Sequence, residues 1–123
     1  MKIEAVDLFC GAGGLTAGMR KAGIKVKAGY DIDAACAHAF EWNNRAKFLT
    51  KDVAEVTQEE IAAWYSKGSY RLLAGCAPCQ PFSTYNQGRD TTSDRKWPLL
   101  YQFARLIQEL QPEFVTMENV PDV

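Results

Sequence analysis

The sequence has no apolar stretch long enough to span a bilayer, and no charged-then-apolar leader, so neither membrane insertion nor export is expected. It has no internal repeat, low-complexity tract or linker. It also has no excess of either charge. Fourteen basic against fifteen acidic residues leave a net charge of −1, so no global field draws the chain toward nucleic acid or a membrane. Four cysteines (Cys10, Cys36, Cys76 and Cys79) without a signal peptide point to free thiols in a reducing cytoplasm. What is present is ordinary: 123 residues, 47% hydrophobic and 24% charged, enough for one domain with a real core and no signature of disorder.

Apolar runs and helical periodicities alternate along the chain. Ile3 to Phe9 reads as a strand broken only by Glu4 and Asp7, and it ends in Cys10-Gly11-Ala12-Gly13-Gly14. Leu15, Met19 and Ala22 then share a helical face, and Gly23 stops that helix. Val26 to Tyr30 is a second strand closing on Asp31-Ile32-Asp33. Ala34 to Trp42 follows as a helix with Ala35, His38, Ala39 and Trp42 on one face. Phe48 and Leu49 form a short third strand before Lys51-Asp52-Val53. Thr57-Gln58-Glu59-Glu60 is a capping box for a helix running to about Lys67. Arg71 to Cys76 is a fourth strand, Leu99 to Leu110 a helix, and Phe114 to Met117 a fifth strand. This alternation predicts an α/β fold with a parallel sheet and right-handed crossovers.

The first strand leads into a glycine-rich turn that opens a helix. Such a turn lets the backbone approach a ligand and presents free amides. Asp31 lies 20 residues after Gly11, at the end of the second strand, where an acid can hold ribose hydroxyls. A dinucleotide fingerprint needs a glycine at its sixth position, and counting from Gly11 that position is Thr16. The turn therefore suits a nucleoside carrying an amino-acid tail better than a pyrophosphate. Asp52, at the end of the third strand, is placed to accept from an adenine amino group. Tight turns and helix caps would account for the glycines alone. They account less well for glycines and two acids all at strand ends, where ligands of open sheets bind.

The fourth strand runs into Gly75-Cys76-Ala77-Pro78-Cys79-Gln80-Pro81-Phe82-Ser83, in which two prolines bracket Cys79 and fix the backbone around its thiol. In a sheet of order 3-2-1-4-5, strand four neighbours strands one and five. Cys79 then stands beside the glycine turn, with Glu118 of Met117-Glu118-Asn119-Val120 on its other side. A thiolate with a carboxyl group nearby suits covalent catalysis on a ring that is protonated as it is attacked. Cys76 and Cys79 also read as a Cys-x-x-Cys redox pair or half a metal site. A thioredoxin-type motif opens a helix, which Pro81 and the polar residues after it disfavour, and no second cysteine pair completes a zinc site. His38, on an apolar helix face, reads as core, so no metal is expected.

With these motifs in place the chain resembles the N-terminal half of the cofactor domain of DNA (cytosine-5) methyltransferases. The resemblance rests on Asp7 to Gly14, Asp31-Ile32-Asp33, Asp52-Val53, Gly75 to Ser83 and Glu118-Asn119-Val120, in the family's order and spacing. It implies a Rossmann-like sheet of order 3-2-1-4-5 and S-adenosylmethionine as cofactor. Phe9 would pack on the adenine, Gly11, Gly13 and Gly14 would lie under the methionine part, and Asp31 would take the ribose. Ile32 would cover the adenine, Asp52 and Val53 would read its amino edge, and Pro78 and Leu99 would line the same pocket. Asp31 stands where the family more often has glutamate, which shortens the reach but keeps the chemistry. The resemblance makes Cys79 the nucleophile and Glu118 the group that holds the target ring. Gln80, Ser83, Arg89, Arg95 and Lys96 would contact DNA from the polar stretch after the cysteine, a segment that reads otherwise as a solvated connection.

The family continues with further strands, an arginine-bearing motif and a target-recognition region, none of which follows Val123. The expectation is a single partial methyltransferase domain over residues 1–123, truncated after the fifth strand and inactive alone. DNA would be met through the complete enzyme, with a C-terminal methyltransferase segment or subunit as partner, in the cytoplasm or at the nucleoid of a prokaryote. A non-catalytic cofactor-binding remnant and a fragment acting on cytosine in transfer RNA are the alternatives.

Overall fold

The computed structural model of the chain describes residues 1–76 and 96–118, the side chains of 96–98 excepted. The elements are β1 (Ile3–Leu8), α1 (Gly14–Lys21), β2 (Lys25–Asp31), α2 (Ala37–Asn44), β3 (Lys47–Thr50), α3 (Gln58–Ala62), β4 (Tyr70–Gly75), α4 (Lys96–Leu110) and β5 (Phe114–Met117). Single 3₁₀ turns precede α2 (Ala34–Cys36) and α3 (Val53–Glu55). All strand pairs are parallel and the order is β3-β2-β1-β4-β5, as the sequence predicts.

β1 lies at the centre and alternates as a strand must. Val6 and Leu8 enter the core beneath α3 and α4, with Tyr30, Leu73, Phe103 and Leu106. Ala5 enters the opposite core beneath α1 and α2, with Met19, Val26, Phe40 and Phe48. A central parallel strand covered on both faces accounts for the near-continuous apolar run from Ile3. Two glycines let helices close on the sheet. A Cβ on Gly29 would stand 2.5 Å from Phe40 Cζ and 2.8 Å from Cys10 Sγ, and one on Gly75 would run into the Phe103 ring.

Several helix faces differ from the sequence reading. On α1, Thr16 is buried together with Met19, whereas Ala22 is exposed. The helix expected from Ala34 starts as a 3₁₀ turn, capped by the Asp33 carboxylate on the Ala35 amide at 3.0 Å. After that turn α2 buries Phe40 and Asn44. The anticipated face of Ala35, His38, Ala39 and Trp42 is not the core face. His38 is exposed and stacks on Trp42, itself 77% exposed, so the core assignment of His38 does not hold.

α3 opens on the expected cap, with Thr57 Oγ1 accepting from the Glu60 amide at 3.1 Å, but it ends at Ala62 rather than near Lys67. Three anchors turn the chain there. Trp64 Nε1 donates to the Tyr30 hydroxyl at 2.9 Å, the Tyr65 hydroxyl donates to the Leu72 carbonyl at 2.7 Å, and the Ser66 amide donates to buried Glu4 at 2.6 Å. Burial alone would raise the Glu4 carboxyl. The Ser66 amide, the Ser66 and Ser69 hydroxyls and Lys27 outweigh it and bring it down to about 2.

Candidate functional site

The carboxyl ends of the strands border a cavity of about 340 Å³, lined by Phe9, Asp31, Ile32, Asp52, Val53, Cys76 and Leu99. These residues come from the ends of β1, β2, β3 and β4 and from the first turns of α4. Phe9, Asp31, Ile32, Asp52, Val53 and Leu99 were singled out from the sequence, and the fold brings all of them to one space. Cys76 was read only as half of a Cys-x-x-Cys pair. Its position one residue beyond β4 is the signal that places it on the wall.

The turn beside the cavity is built by backbone geometry. Phe9 holds φ of 55°, in the left-handed region, and Gly13 holds 101°. A non-glycine residue there carries strain, which a surrounding structure must over-determine. Here the Cys10 amide donates to the Tyr30 carbonyl at 3.0 Å, and the Gly13 amide returns to the Cys10 carbonyl at 3.0 Å. A Cβ on Gly13 would collide with Asn44 and Phe40, so the residue also lets α2 approach the turn.

Two carboxylates face the cavity, and each is held by backbone amides. Asp31 Oδ2 accepts from the Gly11 amide at 2.8 Å and Oδ1 from the Asp33 amide at 2.9 Å. Asp52 Oδ1 accepts from the Ala54 amide at 3.0 Å, capping the Val53–Glu55 turn. Lys51 donates its amide to the Asp31 carbonyl at 3.0 Å, fixing one acid relative to the other. The remaining lone pairs of both carboxylates are available to hydroxyl or amino donors. Phe9, Val53 and Leu99 supply apolar surface, and Ile32 is an apolar side chain left 70% exposed at the rim.

Asp7 lies buried in β1, next to these groups. Thr16 Oγ1 donates to its Oδ2 at 2.6 Å, while Oδ1 has no partner among the described residues. Burial pushes the Asp7 carboxyl up to about 6; the Thr16 bond opposes this, and the charges of Glu118 and Asp31 add to it. The Cys10 thiol is likewise pushed up, by burial first and then by Asp7 and Asp31. Such a site repels phosphate. It suits a flat ring with hydrogen-bond donors and a positively charged neighbour.

Glu118 follows β5 and is tied to the sheet by its amide, which donates to the Gly75 carbonyl at 2.8 Å. Gly11 lies in the turn two residues before Gly13, with φ of 53°, and Gly14 is the first residue of α1. Pro78, Cys79, Gln80, Ser83, Arg89 and Arg95 lie outside the described residues. Lys96 opens α4 with its side chain likewise outside them. Among the described residues no group of His, Cys, Asp and Glu could hold a metal ion, and no helix is long and apolar enough to cross a membrane.

Comparison with known proteins places this geometry in context. The family of C-5 cytosine-specific DNA methylases matches residues 3–123. The type II methylase M.HgiDII of Herpetosiphon aurantiacus is 48% identical over 118 residues, covering 96% of this chain and 33% of the relative. The type II methyltransferase M.XorII of Xanthomonas oryzae pv. oryzae is 36% identical over 119 residues, covering 94% and 27%. A DNA modification methyltransferase encoded within an E. coli prophage superposes with a TM-score of 0.80 at 32% identity, covering 98% of this chain and 33% of that one. The S. pombe Dnmt2 methyltransferase shares the fold with a TM-score of 0.73 at 19% identity. The chain thus spans about a third of the length of the relatives it matches. It belongs to the C-5 cytosine-specific DNA methylase family.

Proposed function

We propose that the cavity is an S-adenosylmethionine site and that the chain is the cofactor-binding and nucleophile-bearing part of a DNA (cytosine-5) methyltransferase domain. The observation that carries this reading is the meeting of Phe9, Asp31, Ile32, Asp52, Val53 and Leu99 around one cavity. The residues fit the cofactor. Phe9, Ile32 and Leu99 would sandwich the adenine, Asp52 and Val53 would take its amino edge, and Asp31 would accept from the ribose. The Gly11–Gly14 turn would lie under the methionine part, and Pro78 would line the same pocket. Bound there, the cofactor supplies an electrophilic methyl group on a sulfonium, and the surrounding carboxylates favour that cation.

Cytosine must leave the duplex before its ring carbons can be reached. The Cys79 thiolate then forms a bond to carbon 6, while Glu118 holds the ring nitrogen and amino group and shares a proton. Carbon 5, made nucleophilic by that bond, would take the methyl group as the methyl–sulfonium bond breaks and a neutral thioether is left. Water would then take the carbon 5 proton, and breakage of the sulfur–carbon 6 bond would restore the ring double bond and release Cys79. Gln80, Ser83, Arg89, Arg95 and Lys96 would meet the DNA backbone and bases.

The chain spans about a third of the length of its relatives, which supports a C-terminal methyltransferase segment or subunit as the partner through which DNA is met. Among the described residues β5 is an edge of the sheet, and its Phe114, Val115 and Met117 are 42%, 44% and 48% exposed, an apolar surface that such a partner would cover. Methyl transfer to duplex DNA is the test, with the chain alone and with a candidate C-terminal partner. Activity restored by the partner and abolished in Cys79→Ser supports the proposal. Absence of rescue by any partner counts against it.

A further inference from the structure

The wall of the cavity formed by Asp52 and Val53 is weakly held by its own backbone. The Val53–Glu55 turn is 3₁₀, with one bond from the Glu55 amide to the Asp52 carbonyl at 2.8 Å and one from the Val56 amide to the Val53 carbonyl at 3.1 Å. Short 3₁₀ pieces have poor hydrogen-bond geometry and depend on outside support. That support comes from α4. Arg105 Nη2 donates to the Val56 carbonyl at 3.0 Å and to the Val53 carbonyl at 3.4 Å. The guanidinium is itself fixed, its Nε donating to Gln102 Oε1 at 2.6 Å and Nη1 to Glu109 Oε1 at 3.1 Å. Val53 and Val56 are 3% and 1% exposed, so their carbonyls have little water to replace a lost donor.

We propose that Arg105 is a positioning residue for the base end of the cavity, holding Asp52 and Val53 at the distance from which they read an adenine amino group. The inference rests on the cofactor reading above and deepens it. α4 contributes twice to the same space: Leu99 reaches the cavity directly, and Arg105 braces the facing wall from behind. Nη2 alone meets both carbonyls because Nε and Nη1 are tied to Gln102 and Glu109. A lysine ammonium keeps the charge near Glu109 and can donate to a carbonyl, but it loses the planar group whose other nitrogens fix its position. The ribose end, held by Asp31 and Gly11, has no bond to Arg105 among the described residues.

The test compares two ligands by calorimetry: S-adenosylhomocysteine, and its counterpart with hydrogen in place of the adenine amino group. The wild-type chain is expected to prefer the adenine ligand by roughly tenfold, the net worth of about one hydrogen bond. Arg105→Ala is expected to bring the ratio to about one, chiefly by weakening the adenine ligand, and Arg105→Lys to leave it intermediate. A general loss of stability would weaken both ligands and keep their ratio. If Arg105→Ala fails to fold, Arg105→Lys decides, since it keeps the charge on α4. A wild-type ratio retained in both variants overturns the role of Arg105 and leaves the cofactor reading intact. A wild-type chain that binds both ligands equally, or neither, overturns the assignment of Asp52 to the base edge and the role of Arg105 with it.

Discussion

The Gly11 amide donates to the Asp31 carboxylate at 2.8 Å across a sequence separation of 20, joining the glycine turn to the end of β2 before any ligand arrives. Asp31 therefore has two tasks: it shapes the turn, and it offers its remaining lone pairs to the cavity. Asp31→Ala leaves the Gly11 and Asp33 amides without their acceptor as well as removing the proposed ribose contact. Hydrogen bonds to a charged group are worth about 1.5–3 kcal/mol, so S-adenosylhomocysteine should bind at least roughly tenfold more weakly. Asp31→Asn keeps one acceptor oxygen and should fall between alanine and wild type. Calorimetry reads the order directly, and unchanged affinity in Asp31→Ala would sink the ribose assignment.

Asp7 predicts an unusual slope of stability against pH. Its carboxyl rises from an ordinary 3.8 to about 6 in the folded chain, so the folded state prefers the protonated form. That contribution is fully present below pH 3.8 and is lost as pH rises through about 6. The shift corresponds to something on the order of 3 kcal/mol. Glu4 and Glu113, both held at about 2 in the folded chain, act with the opposite sign in a lower window, gaining stability as pH rises toward 4.5. Asp7→Asn should therefore remove the decline between pH 4 and 6 and leave the acid limb unchanged. Urea unfolding of both proteins across pH 3 to 7 gives the difference curve; a flat difference would contradict the buried, under-paired carboxyl.

Gly29 tests the close approach of α2. Its φ is ordinary, so a side chain there is opposed by Phe40 and Cys10 rather than by the backbone. Overpacking of this kind costs about 1–3 kcal/mol, and Gly29→Ala should lose that much in denaturant unfolding. Phe40→Leu carries a cost of its own, since Phe40 is fully buried against Phe48, so the paired variant is compared with both single variants. Gly29→Ala should cost less in the Phe40→Leu background if the Phe40 ring is the obstacle. An undiminished cost there would assign the clash to Cys10 instead.

The sheet was legible because burial on both faces leaves runs such as Val26 to Tyr30 with few alternatives to a parallel strand. The acids were legible for a related reason: Asp31 closes the run from Val26 to Tyr30, and Asp52 follows the short strand at Phe48-Leu49 by a few residues, so both fall at strand ends, where open sheets bind ligands. Helix faces were not. Ala35, His38, Ala39 and Trp42 have the spacing of a core face, yet the helix is entered through a 3₁₀ turn and buries Phe40 and Asn44, a pair with equally helical spacing on another face, so periodicity alone does not choose between them. Arg105 was invisible for a different reason. It lies in α4, 52 residues from Val53, and only the packing of that helix against the turn reveals it as a brace.

A polar network lies one residue behind each acid of the cavity. Tyr30 precedes Asp31 and Lys51 precedes Asp52, and both meet Glu60 of α3. The Tyr30 hydroxyl donates to Glu60 Oε2 at 3.0 Å, and Lys51 Nζ lies 2.8 Å from Glu60 Oε1. Lys51 is 40% exposed, so its ion pair contributes little on its own. The Tyr30 ring is fully buried and its hydroxyl also accepts from Trp64, so Tyr30→Phe strands the Trp64 indole N–H and removes one donor from Glu60. That should cost about 1–3 kcal/mol. Burial would raise the Glu60 carboxyl, but Lys51 and Tyr30 hold it below its usual range, so its contribution is present above pH 4.5 and lost as pH falls below that. At pH 7 a double-mutant cycle of Tyr30→Phe and Glu60→Gln should give a coupling of at least about 0.5 kcal/mol. Strictly additive losses would show that the two side chains stabilise α3 independently, and that the network does not act as one support behind the acids.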